Sequence, residues 1–519
     1  MQLQTLLQAL EQPPVRTLAA GAEAEQAIDE RTEITALAYD SRQVQPGGLF
    51  IAVPGTHTDG RKFLPDAAQR GARIALGEPL EASTHASLPL PYIEVRDVRI
   101  ALANLACAFY NNPSDHLCTF GVTGTDGKTT TSNLISTILE TAGFTTGLMT
   151  TANFRISGQE WENETRQSTL EALEVQQFLR RMVDAGVTHA IVEATSHGLE
   201  LQRVRGCRFD VGVVTNITHE HLDFHGTIEN YRRAKARLFE MLDPERKKEI
   251  STQPVAILNR DDVSYDILLP YCRVPVLDYG MDETAAVRAV DVQLHPRGTS
   301  FLVLLPDDEI HIETQLVGRF NVSNCLAAIA ATYSQGVQPS DIARGLAKVT
   351  GVTGRMENIQ EGQPFTVVVD YAHTPDSLEK VLATLRPLTS GKLMVVFGSA
   401  GERDLQKRPI MGRIAAQMTD FFVITDEDPR DEDRESILRE IAQGAKDVGK
   451  REERDFLCIP DRTQAIATAF ARARAGDTVL LAGKGHEQSI IIGREKVPWD
   501  DRRVARQELG KIGYRQGRY

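Results

Sequence analysis

The chain has 519 residues, 41% hydrophobic and 25% charged, with a net charge of −13. That length exceeds what one hydrophobic core holds, so about three domains are expected. The acidic balance excludes a general nucleic-acid-binding face and leaves any phosphate to a local site, while the lack of a bilayer-length apolar run or signal-peptide core predicts a cytoplasmic protein without membrane insertion.

Residues 1–113 form a first unit. The turn Pro46-Gly47-Gly48 leads into a short strand, Leu49–Val53, and composition alone favours a plain hairpin there. The six cysteines, Cys107, Cys118, Cys207, Cys272, Cys325 and Cys458, show no C-x-x-C pair or zinc spacing. Reduced thiols are therefore expected.

Residues 114–350 alternate strand-like and helix-like patterns. Strands are predicted at Leu117–Val122, Val187–Glu193, Phe209–Thr215 and Pro254–Leu258. This alternation implies a mostly parallel sheet whose ligands gather at the carboxyl ends of the strands. After the first strand comes G-T-D-G-K-T-T, Gly124–Thr130. Its glycines let backbone N–H groups approach phosphates. Lys128 can reach the β/γ-phosphates, and the Thr129 hydroxyl suits Mg²⁺. Val122 stands where the strict motif has its first glycine, and the bland alternative is a glycine-rich turn with a chance lysine.

Thr227 is predicted to cap a helix whose apolar stripe is Tyr231, Ala234, Leu238 and Leu242, and Lys235 falls within that stripe. An inward lysine is costly unless paired or neutral. The spacing leaves two readings equally open: a side chain that snorkels to water, or one kept for site chemistry. Glu193 ends a strand, and Thr215–Gly226 carries His219, His221, Asp223 and His225. Histidine alternation fits one strand face and a transition metal. The carboxylates beside a phosphate loop favour Mg²⁺.

Residues 351–519 form a second α/β unit, with strands predicted at Phe365–Val369, Leu393–Phe397, Phe421–Thr425 and Thr478–Leu481. Thr374 and Pro375 signal a helix start. Arg403 and Arg430 follow strands and suit a carboxylate, while Glu487 suits an ammonium, so a zwitterionic amino acid is the physical guess for a ligand.

The ordered run of motifs resembles the Mur ligases, most closely the MurE type, over nearly the whole chain. It includes D-S-R-Q-V-Q-P-G-G-L-F, G-V-T-G-T-D-G-K-T-T, E-A-T-S-H-G-L and T-N-I-T-H-E-H-L-D-F-H-G. It continues through G-R-F-N-V-S-N, G-R-M-E, V-D-Y-A-H-T-P-D-S-L, G-E-R-D-L-Q-K-R-P and G-K-G-H-E. The resemblance implies an α/β protein of three domains: a UDP-binding one, a central P-loop ATPase and a C-terminal Rossmann-like one. It implies an ATP-dependent ligase of peptidoglycan precursor synthesis, and so of cell-wall growth and division. Such an enzyme joins an amino acid to UDP-MurNAc-L-Ala-D-Glu through an acyl phosphate. A monomer is expected.

By that likeness Gly124, Thr125, Asp126, Gly127, Lys128, Thr129 and Thr130 hold ATP phosphates, and Asn321, Asp370 and His373 lie around the adenosine. Thr129, Glu193, His221 and a carbamylated Lys235 belong to the Mg²⁺ site. Lys128, Lys235, Glu193 and His221 are the expected catalytic set. Ser41, Ser168, Thr169, Thr195 and Arg203 match contacts to the UDP-linked substrate. Arg403, Asp428, Arg430, Gly483 and Glu487 match the amino-acid pocket. Alternatives are a ligase of the folylpolyglutamate or cyanophycin synthetase kind, or a non-catalytic ATP-binding subunit.

Three departures stand out. Asp126 replaces the usual Asn of the phosphate loop. Ser168-Thr169-Leu170 replaces Thr-Thr-Pro. Glu427-Asp428-Pro429-Arg430 replaces D-N-P-R. Asp428 repels a carboxylate and attracts an ammonium, which leans towards lysine or ornithine over meso-diaminopimelate. Arg430 argues the other way.

Overall fold

The computed structural model describes residues 1–20, 28–55, 58–163, 165, 169–218, 220, 222–245, 248–250, 252–295 and 298–514. They divide into two compact units, Met1–Tyr279 with Ala330–Val337, and Gly280–Ile329 with Gln338–Tyr519.

The first unit begins with a five-stranded sheet in the order Arg16–Leu18, Tyr92–Glu94, Ile74–Gly77, Leu49–Ala52, Leu37–Ala38. The expected strand after Pro46-Gly47-Gly48 is present, but the hairpin is not. Leu37–Ala38 and Leu49–Ala52 pair in parallel. Between them Asp40 accepts from the Arg42 N–H and caps a 3₁₀ turn, Ser41–Gln43, which lets the chain cross over instead of folding back.

A second, mostly parallel sheet of this unit runs in the order Val276–Gly280, Val255–Asn259, Val211–Val214, Cys118–Thr123, His189–Glu193, Thr146–Met149, Asn153–Ile156, Gln159–Glu162. The last two strands are antiparallel. Every residue of the central strand Cys118–Thr123 is buried, as a strand covered on both faces requires. Gly121 on that strand makes room for a helix: an added Cβ would sit 2.6 Å from Leu238. That close approach seats the helix Ile228–Glu240 against the sheet, with Thr227 capping the Asn230 N–H as the sequence predicts.

In the second unit, Val287–His295, Gly298–Leu304 and Glu309–Thr314 form an antiparallel meander. A six-stranded sheet follows in the order Glu357–Ile359, Thr366–Asp370, Thr478–Ala482, Leu393–Phe397, Phe421–Ile424, Phe456–Cys458, parallel except for the first strand. Thr374 and Ser377 form a capping box at the start of the helix Pro375–Leu385. All the helices and sheets fit the α/β class expected from the sequence. Among the described residues no helix is long and apolar enough to cross a membrane.

Candidate active site

The phosphate loop leaves the strand Cys118–Thr123 and enters the helix Lys128–Thr141 through Gly127, whose φ is 83°. Gly124 has a φ of 147°, and a Cβ there would overlap the Thr215 hydroxyl. Glycine is required on both counts. The neighbouring strand end braces the loop. The Asp126 N–H donates to Asn216 Oδ1 at 3.0 Å, and Asn216 Nδ2 donates back to the Asp126 carbonyl at 3.2 Å. The Thr215 hydroxyl donates to the same carbonyl at 2.5 Å. Lys128 Nζ donates to the Thr125 carbonyl at 2.7 Å, so its ammonium lies folded over the loop itself.

Glu193, at the end of its strand, is buried and hydrogen-bonded to the loop helix. Thr129 Oγ1 donates to its Oε2 at 2.8 Å, while the Thr151 N–H and hydroxyl donate to the two carboxylate oxygens at 3.0 and 2.9 Å. Thr151 was not singled out in the sequence; it lies two residues beyond the strand Thr146–Met149.

Lys235 does not snorkel. It is 1% exposed, and its Nζ donates to the Gly124 carbonyl at 2.6 Å. The amine also lies 4.5 Å from the Tyr231 ring centroid. Burial pushes its pKa well below the usual lysine value and the nearby Lys128 adds to that, while Glu220, Asp126 and Glu193 pull the other way. The departure Asp126 therefore places a carboxylate within electrostatic range of Lys235. His219 and His221 lie outside the described residues. His225 is buried, and it ends the short helix Leu222–His225, so the strand-like alternation does not hold at that end.

The residues matched to the UDP-linked substrate gather in the same unit. Thr169 Oγ1 lies 3.0 Å from Thr195 Oγ1 and donates to the Glu193 carbonyl. Arg203 Nη1 donates to the Thr169 carbonyl at 3.0 Å, and its Nη2 pairs with Glu171 at 2.6 Å. Ser41 is buried and hydrogen-bonds Asp66, holding that carboxyl below its ordinary value. Ser168 lies outside the described residues.

In the second unit Asn321 is buried and bonds within its own helix start, to Val317 and Asn324. Asp370 accepts from the Met356 and Ala372 N–H groups. The His373 ring lies 4.5 Å from the Tyr371 ring and is tilted 56° to it. The strand-end loops Gly398–Arg403 and Asp426–Arg430 are crossed together: the Gly401 N–H donates to the Asp428 carbonyl at 2.8 Å. Arg408, fully buried, clasps Glu432 with both Nη atoms at 2.6 and 2.8 Å. Arg403 is exposed, and Arg430, with a φ of 55°, has Glu402 at 4.0 Å. Gly483 turns the chain with a φ of 106°.

Lys484 escaped the sequence reading, and Glu427 entered it only as part of the altered D-N-P-R motif. Lys484 is 0% exposed and donates to Asp428 at 2.8 Å and Glu487 at 2.5 Å. Glu427 is 7% exposed, and its Oε2 has no hydrogen-bond partner among the described residues. Burial raises its pKa, opposed chiefly by Lys407 and Lys484. Asp428 is thus already paired with a lysine of the chain.

Three family descriptions match the chain in order: the Mur ligase family catalytic domain over residues 33–110, the Mur ligase middle domain over 122–332 and the Mur ligase glutamate ligase domain over 354–485. A UDP-N-acetylmuramyl-tripeptide synthetase of Roseiflexus sp. (strain RS-1) is 49% identical over 93% of this chain and 96% of its own length. A UDP-N-acetylmuramoyl-L-alanyl-D-glutamate–2,6-diaminopimelate ligase of Geobacillus kaustophilus (strain HTA426) is 42% identical over 93% and 96%. A solved structure of a ligase of that second kind aligns with a TM-score of 0.65 at 31% identity, covering 96% of this chain and all of that one. With each segment matched in order and relatives this close along nearly its full length, the chain belongs to the Mur ligase family.

Proposed function

We propose that the chain is the ATP-dependent ligase that adds an amino acid to UDP-N-acetylmuramoyl-L-alanyl-D-glutamate in peptidoglycan precursor synthesis. The division of labour follows residues 1–113 for the UDP end, 114–350 for ATP and 351–519 for the amino acid. The observation that carries the reading is the convergence of Thr129, Glu193 and a buried Lys235 amine on one glycine-rich phosphate loop.

In this reading Lys128 moves from the Thr125 carbonyl to the β/γ-phosphates, joined by the N–H groups at the start of its helix. Hard oxygen donors suit Mg²⁺, and the Thr129 hydroxyl and Glu193 carboxylate meet that requirement, with Lys235 as a carbamate and His221 completing the set. The ion, when bound, supplies charge neutralisation at the transferring phosphoryl group. Asn321, Asp370 and His373 serve the adenosine. Thr169, Thr195, Arg203, Ser168 and Ser41 orient the UDP-linked peptide so that its D-glutamyl carboxylate attacks the γ-phosphorus and ADP leaves. The amine of the incoming amino acid then attacks the acyl phosphate, loses its proton, and expels phosphate to give the amide.

Arg403 and Arg430 hold carboxylates of the amino acid. With Asp428 engaged by Lys484, the pocket favours a side chain that brings a carboxylate of its own. A cytoplasmic monomer suits a soluble nucleotide-linked substrate. The test is phosphate release with each reactant omitted in turn, and mass spectrometry of the product. Release that needs both the UDP-linked dipeptide and an amino acid supports the ligase. Release driven by folates, or ATP binding without turnover, overturns it.

A further inference from the structure

The chain reverses between the strands Thr146–Met149 and Asn153–Ile156, and the reversal is closed by its own hydrogen bonds. The Thr150 N–H donates to the Asn153 carbonyl at 3.0 Å, and the Ala152 and Asn153 N–H groups donate to Thr150 Oγ1 at 3.2 and 3.0 Å. The Thr150 hydroxyl donates to Asn153 Oδ1 at 2.6 Å. These bonds fix the backbone on both sides of Thr151, whose N–H and hydroxyl grip the two Glu193 oxygens. Asn153 also reaches the helix that carries Thr129. Asn133 Nδ2 donates to Asn153 Oδ1 at 3.3 Å, and Asn153 Nδ2 donates back to Asn133 Oδ1 at 3.2 Å. Asn133 Nδ2 also donates to the Thr129 carbonyl at 2.9 Å. The other N–H of Asn153 goes to Glu160 Oε1 at 2.9 Å, and Arg155 holds that carboxylate at 2.7 Å. The two asparagines are 6% and 9% exposed, so water competes little for these bonds.

Resting on the reading of Thr129 and Glu193 as oxygen donors to Mg²⁺, we propose that Asn153 is a positioning residue for that site: through Thr150 and Thr151 it orients the Glu193 carboxylate, and through Asn133 it ties that carboxylate to the helix of Thr129. It acts on the donors and is not one itself. The chemistry of the amide suits the task. Its oxygen accepts from Thr150 and Asn133 while its nitrogen donates to Asn133 and Glu160, so every hydrogen-bonding position is used. An alkyl group can do neither, and a carboxylate could only accept. The demand on precision comes from the ion. Mg²⁺ requires near-ideal octahedral geometry, so a carboxylate left free to rotate binds it less well. Groups that hydrogen-bond a ligating carboxylate are worth about 10–100-fold in metal affinity for that reason.

The experiment uses Mn²⁺ as the probe of the metal site, titrated by EPR into the full chain with a non-hydrolysable ATP analogue. Phosphate release supplies a second readout, the Mg²⁺ concentration that gives half the maximal rate. Asn153→Leu should raise both constants by about tenfold or more, while ADP affinity without metal is unchanged and saturating Mg²⁺ restores most of kcat. A merely structural asparagine would lower the urea midpoint and leave both metal constants where they are, which would overturn the proposal. Leucine strands the Asn133 amide in the interior and can prevent folding. The double variant Asn133→Leu/Asn153→Leu replaces both partners by apolar groups and avoids that penalty. Weaker Mn²⁺ binding in the double variant supports the role, and an unchanged constant refutes it. Glu193→Gln separates the two levels. If it leaves Mn²⁺ binding intact, the reading of Glu193 as a metal donor has failed and the proposal falls with it. If it weakens Mn²⁺ and the asparagine variants do not, the positioning role alone is refuted.

Discussion

Replacing Lys235 by alanine separates the chemistry of its amine from its packing. An ordinary lysine leaves about one amine in a thousand unprotonated near neutral pH. Lys235 is 1% exposed, donates to a carbonyl rather than a carboxylate, and lies near the cation of Lys128. Burial and that cation favour the uncharged amine, the form that captures carbon dioxide as a carbamate, against the opposing pull of Glu220, Asp126 and Glu193. Lys235→Ala removes that group and leaves an enclosed space the length of its side chain. The hydrogen bond to Gly124 is lost, worth about 1 kcal/mol, but so is the cost of burying an amine, so stability should change by no more than about 2 kcal/mol. Turnover should fall about a hundred- to a thousandfold, the usual effect of deleting one electrostatic group at a transition state. Phosphate release measures the loss. Acetate or propionate should restore part of it by entering the vacated space, and ¹³C-bicarbonate should give a carbamate NMR signal in the unmodified enzyme that the variant lacks. Near-normal turnover in Lys235→Ala would refute the reasoning.

Thr129→Val keeps the volume but removes the hydroxyl that bonds Glu193, so kcat should fall about a hundredfold while the urea midpoint moves little. Gly124→Ala places a methyl group against Thr215 and should abolish ATP binding by calorimetry. Arg462 and Asp501 are both fully buried and doubly bonded, at 2.8 and 2.6 Å, with Trp499 Nε1 on the same carboxylate. Asp501→Ala should cost about 3–5 kcal/mol by chemical denaturation, because it strands a buried guanidinium. Burial lowers the His486 pKa to about 3, with Arg355 adding to the shift. Below its unfolded value near 6.5 the unfolded chain binds the extra proton, so stability falls as pH drops from about 6.5 towards 3. His486→Gln should flatten that limb in a denaturation series.

The polar residues at strand ends were legible because a parallel sheet buries its strands on both faces. Each strand then reads as an apolar run, and its end is marked by the first polar residue. Glu193 and Gly124–Thr130 were found that way, whereas the role of Asp370 came through the resemblance. Lys235 was legible as a break in a helical stripe, though only the packed helix decides between water and the interior. Pairings between distant segments were not legible. Lys484 reaches Asp428 because two positive-φ glycines bend its turn, and nothing in the local pattern marks that partner. The parallel pairing of Leu37–Ala38 with Leu49–Ala52 was missed for a related reason: a strand of two residues gives no periodicity, and a Pro-Gly-Gly turn reads as a reversal whichever strand it joins.

The two buried lysines show why burial alone does not assign a role. A lysine deprived of water must either give up its proton or find anions, and the partner decides which. Lys235 bonds the carbonyl of Gly124, an acceptor that serves a neutral amine as well as an ammonium. Its nitrogen is therefore held beside the phosphate loop without an ion-pair bond to an acid among the described residues. Lys484 lies between two carboxylates, and removing either partner leaves a charge stranded in the interior. Its nitrogen is committed to holding those two acids. A chain with net charge −13 that must bind nucleotide and UDP-linked anions gains nothing from long-range attraction. Its selectivity has to be built from such short-range placements, one amine bonded to a carbonyl and the other held between two acids.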